Sequence, residues 1–428
     1  MSIIQAGVSR QTITPPSGIH LMGYGNRIQG NIGVHDDLYV TTLVLETDDT
    51  CVALLTVDLT FINRVFVEKV KNRVHDLCNI DPDAVFVCCS HTHGGPIGYA
   101  DEHSRLEDIQ YMDFLVDKLV ESTVNATDEL QPVRLRAGTD SAHININRRE
   151  RTPDGQIIIG NNPDGLVDSS VQVMQVVSEQ NMTLATLVNY ACHAVVMGPL
   201  NRKVTADWVG AMRQKVEETV DGLCLFFQGA TANLNPRKMR WAVDSWDEVE
   251  EQGVEVADAV SRACDQATPL NSDPIKIHQA VCWLPLMPPH GYNEQVREFM
   301  PPGVETDGEI RSTIRTSFPW HTEIENRQDG LYSPIYIGAL RIGDWRLMTL
   351  AAEPFVEIGL AIKAASPAKM TFIAGYSNGC NSYLPVRSVY EEGGYEVETA
   401  ALFYGLPSGF VVGGAETVIE AMVEILSR

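Results

Sequence analysis

Short apolar runs bounded by turn residues recur along this chain, and stretches with helical periodicity stand between them. The runs are Thr41 to Glu46, Cys51 to Leu59, Ala84 to Cys89, Leu184 to Ala191, Leu223 to Phe227 and Ile335 to Leu350. The helical stretches are Val65 to Leu77, Met112 to Ser122, Trp208 to Val220, Val249 to Cys264 and Thr417 to Leu426. Alternation of the two predicts an α/β fold. The last run divides into Ile335 to Ile342 and Trp345 to Leu350 around Gly343-Asp344, a hairpin signature that requires antiparallel pairing. Mixed β-sheets flanked by helices are therefore expected. Residues 1–428 show no repeat and no Gly/Ser or Pro-rich linker, so a single catalytic unit is expected. Pro285 to Asp329 is the irregular stretch, with Tyr292, Phe299, Phe318 and Trp320 set among Pro, Gly and charge, and it reads as a lid or a surface insertion.

Acidic residues outnumber basic ones 56 to 32, an excess that repels nucleic acid and anionic headgroups. No run long enough to span a bilayer occurs and no signal-like start is present, so neither an integral membrane segment nor secretion is expected and a cytoplasmic location is. Nine cysteines without a CxxC pair fit buried thiols better than a disulfide framework or a thiolate zinc site.

The chemistry is carried by strand ends. In VFVCCSHTHGGP (Val85 to Pro96) a buried strand runs into His91 and His93, at the carboxyl end where α/β proteins place ligands. Leu184 to Cys192 delivers His193 in the same way, and Met348 to Ala352 ends at Glu353. Singly, His193 reads rather as a satisfied core residue and Glu353 rather as a helix N-terminal charge. Together they supply the three N/O ligands that catalytic zinc prefers, with one position left for water. Zinc would lower the pKa of that water from about 15.7 to about 7. A competing serine route has one match, GYSNG with Ser377, but no histidine follows it as a nucleophile elbow requires. GATANLNP (Gly229 to Pro236) follows another strand and offers Asn233 or Asn235 to the same pocket. Asp207 reads as a helix N-terminal residue that could also support a zinc histidine from behind.

AGVSRQTITPP, MGYG, CCSHTHGGP, NINR, NYACHAVV, QGATANLNP, AAEPF and NSYLPVRSVYEEGGYE occur in this order, and with them the whole chain resembles the catalytic domain of the neutral, alkaline and non-lysosomal ceramidases. The resemblance implies one zinc per chain held by His91, His193, Glu353 and Tyr383, and a water attacking an amide carbonyl. It further implies His93 as the proton-transfer group, with Arg148 and Tyr395 polarising the carbonyl. Read from the residues alone, an arginine there is as readily an ion pair and a tyrosine ordinary packing. The family carries an additional immunoglobulin-like C-terminal domain, while this sequence ends on Thr417 to Arg428. After GATANLNP it runs RKMRWAVDSW, without the Cys- and Ser-bearing stretch of the family. The expected activity is zinc-dependent cleavage of an N-acyl amide other than ceramide in a small-molecule substrate. A lactone or ester of a small metabolite is the alternative, ahead of a phosphoesterase or a non-catalytic binding protein.

Overall fold

The structure is a computed structural model that describes residues 4–25, 27, 29–100, 104–239, 246–288 and 323–426. β1 (Gln5–Thr12), β2 (Tyr39–Glu46) and β3 (Cys51–Val57) pair antiparallel, and β4 (Val85–Cys89) joins β3 in parallel. The crossover is α1 (Arg64–Cys78), started by Asn63, whose side chain accepts from the Val65 N–H, and ended by Asn79 in the left-handed region. Both caps suit asparagine, which tolerates that backbone and offers a short acceptor. Every residue of β4 is buried, as expected of a parallel strand covered on both faces. α2 (Leu106–Asp128) packs over β1 and β2, tied by Thr42 Oγ1 to Ser122 Oγ at 2.8 Å.

β5 (Gln131–Ser141) continues the sheet, while β6 (Asn145–Arg151) and β7 (Ile157–Asn162) leave it as a separate hairpin. β8 (Ser170–Ser178) and β9 (Thr183–Tyr190) return to it, and α3 (Trp208–Val220) carries the chain to β10 (Leu223–Gln228), parallel to β9. The strand order is β10-β9-β8-β5-β1-β2-β3-β4. β1 and β5 share two residue pairs, Gln5 with Pro132 and Ala6 with Gln131. That short seam lets the sheet fold over so that β10 lies against β2, β3 and β4. β11 (Leu234–Pro236) pairs with β6. α4 (Trp246–Asp265) packs on α3 through Val209, Met212, Val256 and Val260. Its residue Ala263 sits so close to β5 that a Cβ at Gly138 would overlap the Ala263 carbonyl.

After β12 (Thr268–Pro269), which pairs with β5, a second sheet forms from β13 (Ile275–Pro285), β14 (Glu325–Arg327), β15 (Gly330–Ile342) and β16 (Trp345–Leu350). The hairpin at Gly343-Asp344 is present, with Ile342 opposite Trp345. Glu353 and Pro354 form the short β17, α5 (Val356–Ala365) follows, and β18 (Met370–Ala374) returns parallel to β16. β19 (Tyr383–Leu384) pairs in parallel with β17, setting Glu353 opposite Tyr383. α6 (Tyr395–Glu398) and α7 (Gly414–Leu426) complete the chain.

The α/β class with mixed sheets is thus the observed one. Of the lid or insertion, residues 289–322, with all four of its aromatic residues, lie outside the described residues. All nine cysteines are free thiols, and among the described residues no helix is long and apolar enough to cross a membrane.

Candidate metal and catalytic site

The carboxyl ends of three parallel pairs, β3–β4, β9–β10 and β16–β18, deliver the site. Beyond β4 the chain turns at His91, whose φ is 61°. The turn is held by the His91 N–H donating to Leu59 O at 2.9 Å and by Nδ1 against Thr60 O at 2.8 Å. His193, beyond β9, lodges Nδ1 between Thr231 O at 2.8 Å, in the turn after β10, and Leu234 O at 3.0 Å, at the start of β11. Trp208 at the start of α3 donates its indole N–H to His193 O at 2.9 Å. A carbonyl cannot donate, so each Nδ1 must carry the proton and each Nε2 presents a lone pair.

Those lone pairs meet. Glu353 Oε2 lies 3.5 Å from His91 Nε2 and 3.6 Å from His193 Nε2. His93 Nε2 lies 3.4 Å from His91 Nε2, and the donor atoms of His91, His93 and His193 all fall within 4.8 Å of one another. His93 is fixed less firmly. Its Nδ1 is buried without a partner, and its ring packs against Gly23 and edge-on to Tyr24 in MGYG. At Gly23, with φ +105°, a Cβ would overlap the imidazole.

Burial lowers the pKa of His91 to about 3, against the opposing pull of Glu353. Burial likewise lowers His93 and His193. Burial alone would raise Glu353, but His91 and His193 outweigh it and bring the carboxyl to about 2. At neutral pH the cluster is therefore neutral imidazoles beside an ionised carboxylate, the protonation state in which these groups ligate a metal ion. The donor set suits a divalent cation of the zinc type, which takes imidazole nitrogen and carboxylate oxygen.

Arg148 on β6 lies beside this cluster, with Nη1 3.5 Å from His193 Nε2 and Nη2 3.2 Å from Tyr383 Oη. Burial opposes its charge, but Tyr383 and Glu396 raise its pKa well above the ordinary value. Tyr395 packs edge-on to Tyr383 at 5.5 Å between ring centroids, with the Arg148 guanidinium carbon 5.9 Å from the Tyr395 centroid. All seven residues expected at the site, His91, His93, Arg148, His193, Glu353, Tyr383 and Tyr395, are thus in one place.

Several residues around them carry no motif of their own. Tyr404 donates its hydroxyl to Glu353 Oε1, and Tyr376 donates to Oε2 at 3.3 Å while bonding Thr231 Oγ1 at 2.7 Å. Tyr404 stands in a one-turn 3-10 helix that the hydrophobic pattern does not reveal, and Tyr376 was visible only as part of GYSNG. Ser377, the nucleophile candidate in that motif, donates to its own neighbour Gly375 O at 2.9 Å and serves a structural turn. Asn233 accepts from the Val356 N–H and donates to Glu357, and Asn235 donates to Met239 Sδ. These two side chains shape the wall from behind. Asp207 caps α3 and also takes the Val196 and Met197 N–H groups, so it grips the loop after His193 rather than a histidine ring.

Residues 4–231 match the family model described as neutral/alkaline non-lysosomal ceramidase, N-terminal. The chain is 29% identical over 227 residues to the neutral ceramidase of Drosophila melanogaster, covering 48% of this chain and 31% of that protein. It is 25% identical over 237 residues to the neutral ceramidase of Oryza sativa subsp. japonica, covering 51% of this chain and 29% of that protein. The aligned part therefore spans less than a third of those relatives. Among solved structures, a ceramidase complexed with C2 superposes over 100% of this chain and 75% of its own, with a TM-score of 0.76 at 18% identity. The neutral ceramidase of Pseudomonas aeruginosa gives a TM-score of 0.74 at 18% identity, over 100% of this chain and 74% of that one. At such identity the superpositions establish the shared fold.

Proposed function

The chain belongs to the neutral/alkaline non-lysosomal ceramidase family, and from that premise we propose that it is a zinc-dependent amidohydrolase acting on an N-acyl amide other than ceramide. The observation that carries the proposal is the convergence of two neutral imidazole Nε2 atoms on one oxygen of an ionised Glu353 at 3.5 and 3.6 Å, with an arginine and a tyrosine alongside. His91, His193, Glu353 and Tyr383 would hold the ion. When bound, zinc supplies Lewis acidity that brings the pKa of a coordinated water from about 15.7 to about 7.

The protein's own groups do the rest. His93 is neutral and turns Nε2 toward the cluster, 3.4 Å from His91 Nε2, so it accepts the proton of the attacking water there and returns it to the leaving amine. Arg148 directs both Nη groups inward, and Tyr395 keeps its phenolic proton because burial raises its pKa. These two donors face the carbonyl oxygen as charge develops on it, which is where fixed donors lower a barrier most. A substrate other than ceramide is favoured by RKMRWAVDSW following GATANLNP in place of the family's Cys- and Ser-bearing stretch. A cytoplasmic location is favoured by nine unpaired cysteines.

The cluster offers a single carboxylate, too few for the two bridged metals of most phosphoesterases. A lactone or ester could use the same donors. Plasma mass spectrometry of the purified protein, with hydrolysis of short N-acyl amides, ceramide, lactones, esters and phosphoesters with and without chelator, tests the proposal. About one zinc per chain with chelator-sensitive cleavage of short amides is expected. Full zinc content in both His91→Ala and Glu353→Ala, or no hydrolysis after zinc is supplied, rejects it.

A further inference from the structure

We infer that Glu396 is the residue that positions Arg148 for the reaction proposed above, through a carboxylate that bridges Arg148 to Arg149. Arg148 and Arg149 are consecutive, and side chains of consecutive strand residues point to opposite faces. The β6–β7 register shifts between Asn147 and Arg149, where Gly160 and Asn161 of β7 stand against Arg148 alone, and a bulge of this kind bends the pair locally. Both guanidinium groups nevertheless reach one carboxylate: Arg148 Nε donates to Glu396 Oε1 at 2.8 Å, and Arg149 Nη1 donates to Oε2 at 2.7 Å. All three side chains are at most 5% exposed.

The bridge has a direction. Glu396 occupies the Nε edge of Arg148, which leaves Nη1 and Nη2 for His193 and Tyr383. From Arg149 the chain of charges continues outward to Glu392 at 3.2 Å and then to Arg151, whose side chain is 54% exposed. Glu396 also follows Tyr395 directly in α6, so one short turn delivers the second carbonyl-facing donor and the anchor of the first. Without the carboxylate, Arg148 would lose its buried ion-pair partner while Arg149 kept Glu392, a costlier change than a broken surface pair. Arg148 would then turn toward the remaining anion, Glu353.

The test compares wild type, Glu396→Gln, Glu396→Asp, Arg148→Ala and the double variant Arg148→Ala/Glu396→Gln at saturating zinc. Glu396→Gln is expected to lower kcat about 100-fold, the scale of one lost oxyanion donor, with KM and zinc content unchanged and partial recovery in Glu396→Asp. On the Arg148→Ala background the same change is expected to add nothing. Full kcat in Glu396→Gln, or an equal loss on both backgrounds, overturns the proposal. Should Glu396→Gln fail to fold, the double variant removes the unpaired Arg148 as well, while Arg149 keeps Glu392, and it must match Arg148→Ala. Calorimetric binding of octanoate to the chelator-treated protein gives a readout independent of turnover, since a carboxylate pairs with the Arg148 fork. Arg148→Ala and Glu396→Gln must weaken that binding alike, and binding unchanged in Glu396→Gln but lost in Arg148→Ala rejects the positioning role. If wild type cleaves no amide, the amidase proposal fails, and the octanoate comparison alone decides the role of Glu396.

Discussion

Replacing Tyr404 by phenylalanine removes one oxygen from the site and leaves its packing in place. The Tyr404 ring stacks on Phe61 at 5.5 Å and stands edge-on to Tyr383 at 6.1 Å, contacts that phenylalanine keeps. What disappears is the hydroxyl donor to Glu353 Oε1, while Oε2 retains Tyr376 and the two histidines. Glu353 is 2% exposed and ionised across the neutral range, so water cannot replace the lost donor. A hydrogen bond to a buried charged group contributes about 1.5 to 3 kcal/mol. That range is the expected loss of stability in the chelator-treated protein, read from urea unfolding. The same hydroxyl fixes which carboxylate oxygen faces the histidines, and losing such an orienting partner weakens metal affinity about 10- to 100-fold. Competition with a chromophoric chelator measures this directly. Chelator-treated Tyr404→Phe within about 0.5 kcal/mol of wild type, the scatter of an ordinary surface change, together with unaltered zinc affinity, would refute the reasoning.

Three further outcomes are expected. Burial, aided by Arg64, lowers the Lys71 amine from 10.5 to about 8 against Glu68, Asp83 and Asp81, so the unfolded chain holds that proton more tightly and stability rises with pH between those values. At pH 7 the buried charge costs about 3 kcal/mol at 1.36 kcal/mol per pH unit, so Lys71→Met should raise the urea midpoint at pH 7 and lose most of its advantage by pH 10, and a less stable variant at pH 7 contradicts this. Gly23→Ala, whose Cβ overlaps the His93 ring, should lower kcat about 100-fold with zinc content intact, the share of a misplaced proton-transfer group. Undiminished turnover there removes His93 from the mechanism. Burial raises the Tyr383 phenol pKa, whereas His91, His193 and Glu353 are already in their ligand forms at pH 7. Zinc binding should therefore release one more proton in wild type than in Tyr383→Phe, measured by calorimetry in buffers of different ionisation enthalpy, and equal release excludes Tyr383 as a ligand.

The strand ends were legible in sequence because a parallel strand buried on both faces reads as a continuous apolar run, and a histidine directly after it has few other places to go. VFVCC before His91 and LVNYAC before His193 carry that signal. The hairpin at Gly343-Asp344 was equally plain. Helix α2 extends well beyond Met112 to Ser122, from Leu106 to Asp128, because its first turn places exposed Leu106 beside Glu107 and breaks the apolar stripe that periodicity detects. The partners of the site residues were not legible. Thr60 and Thr231 act through backbone carbonyls, which every residue possesses, and Tyr404 lies 51 residues from the carboxylate it serves. The bulge opposite Arg148 lies in β7, where Gly160 and Asn161 stand against that one residue. Tyr383 and Tyr395 entered through family resemblance, since no spacing rule predicts a phenol at a metal.

The backbone itself records how the site is held in shape. Of the eight non-glycine described residues with positive φ, Asn79 and Asn181 are short polar residues at a helix end and a turn, where that conformation is cheap, and Asp221 ends α3 with ψ 170°, outside the left-handed well. The other five, His91, Asp207, Tyr376, Asn378 and Ser382, are in or beside the site, and such backbones cost about 1 to 3 kcal/mol each. Each is held by bonds from a different element. His91 is fixed to Leu59 and Thr60, Tyr376 N–H donates to Ala352 O at 3.0 Å, and Asn378 exchanges bonds with Val87 at 2.8 and 2.9 Å. The Ser382 carbonyl accepts from the N–H of Glu353 itself at 2.9 Å, and Asp207 holds the loop that follows His193. The chain therefore bends against its preference where β4, β9 and β18 must aim side chains at one point, and the two sheets supply the energy that keeps it bent.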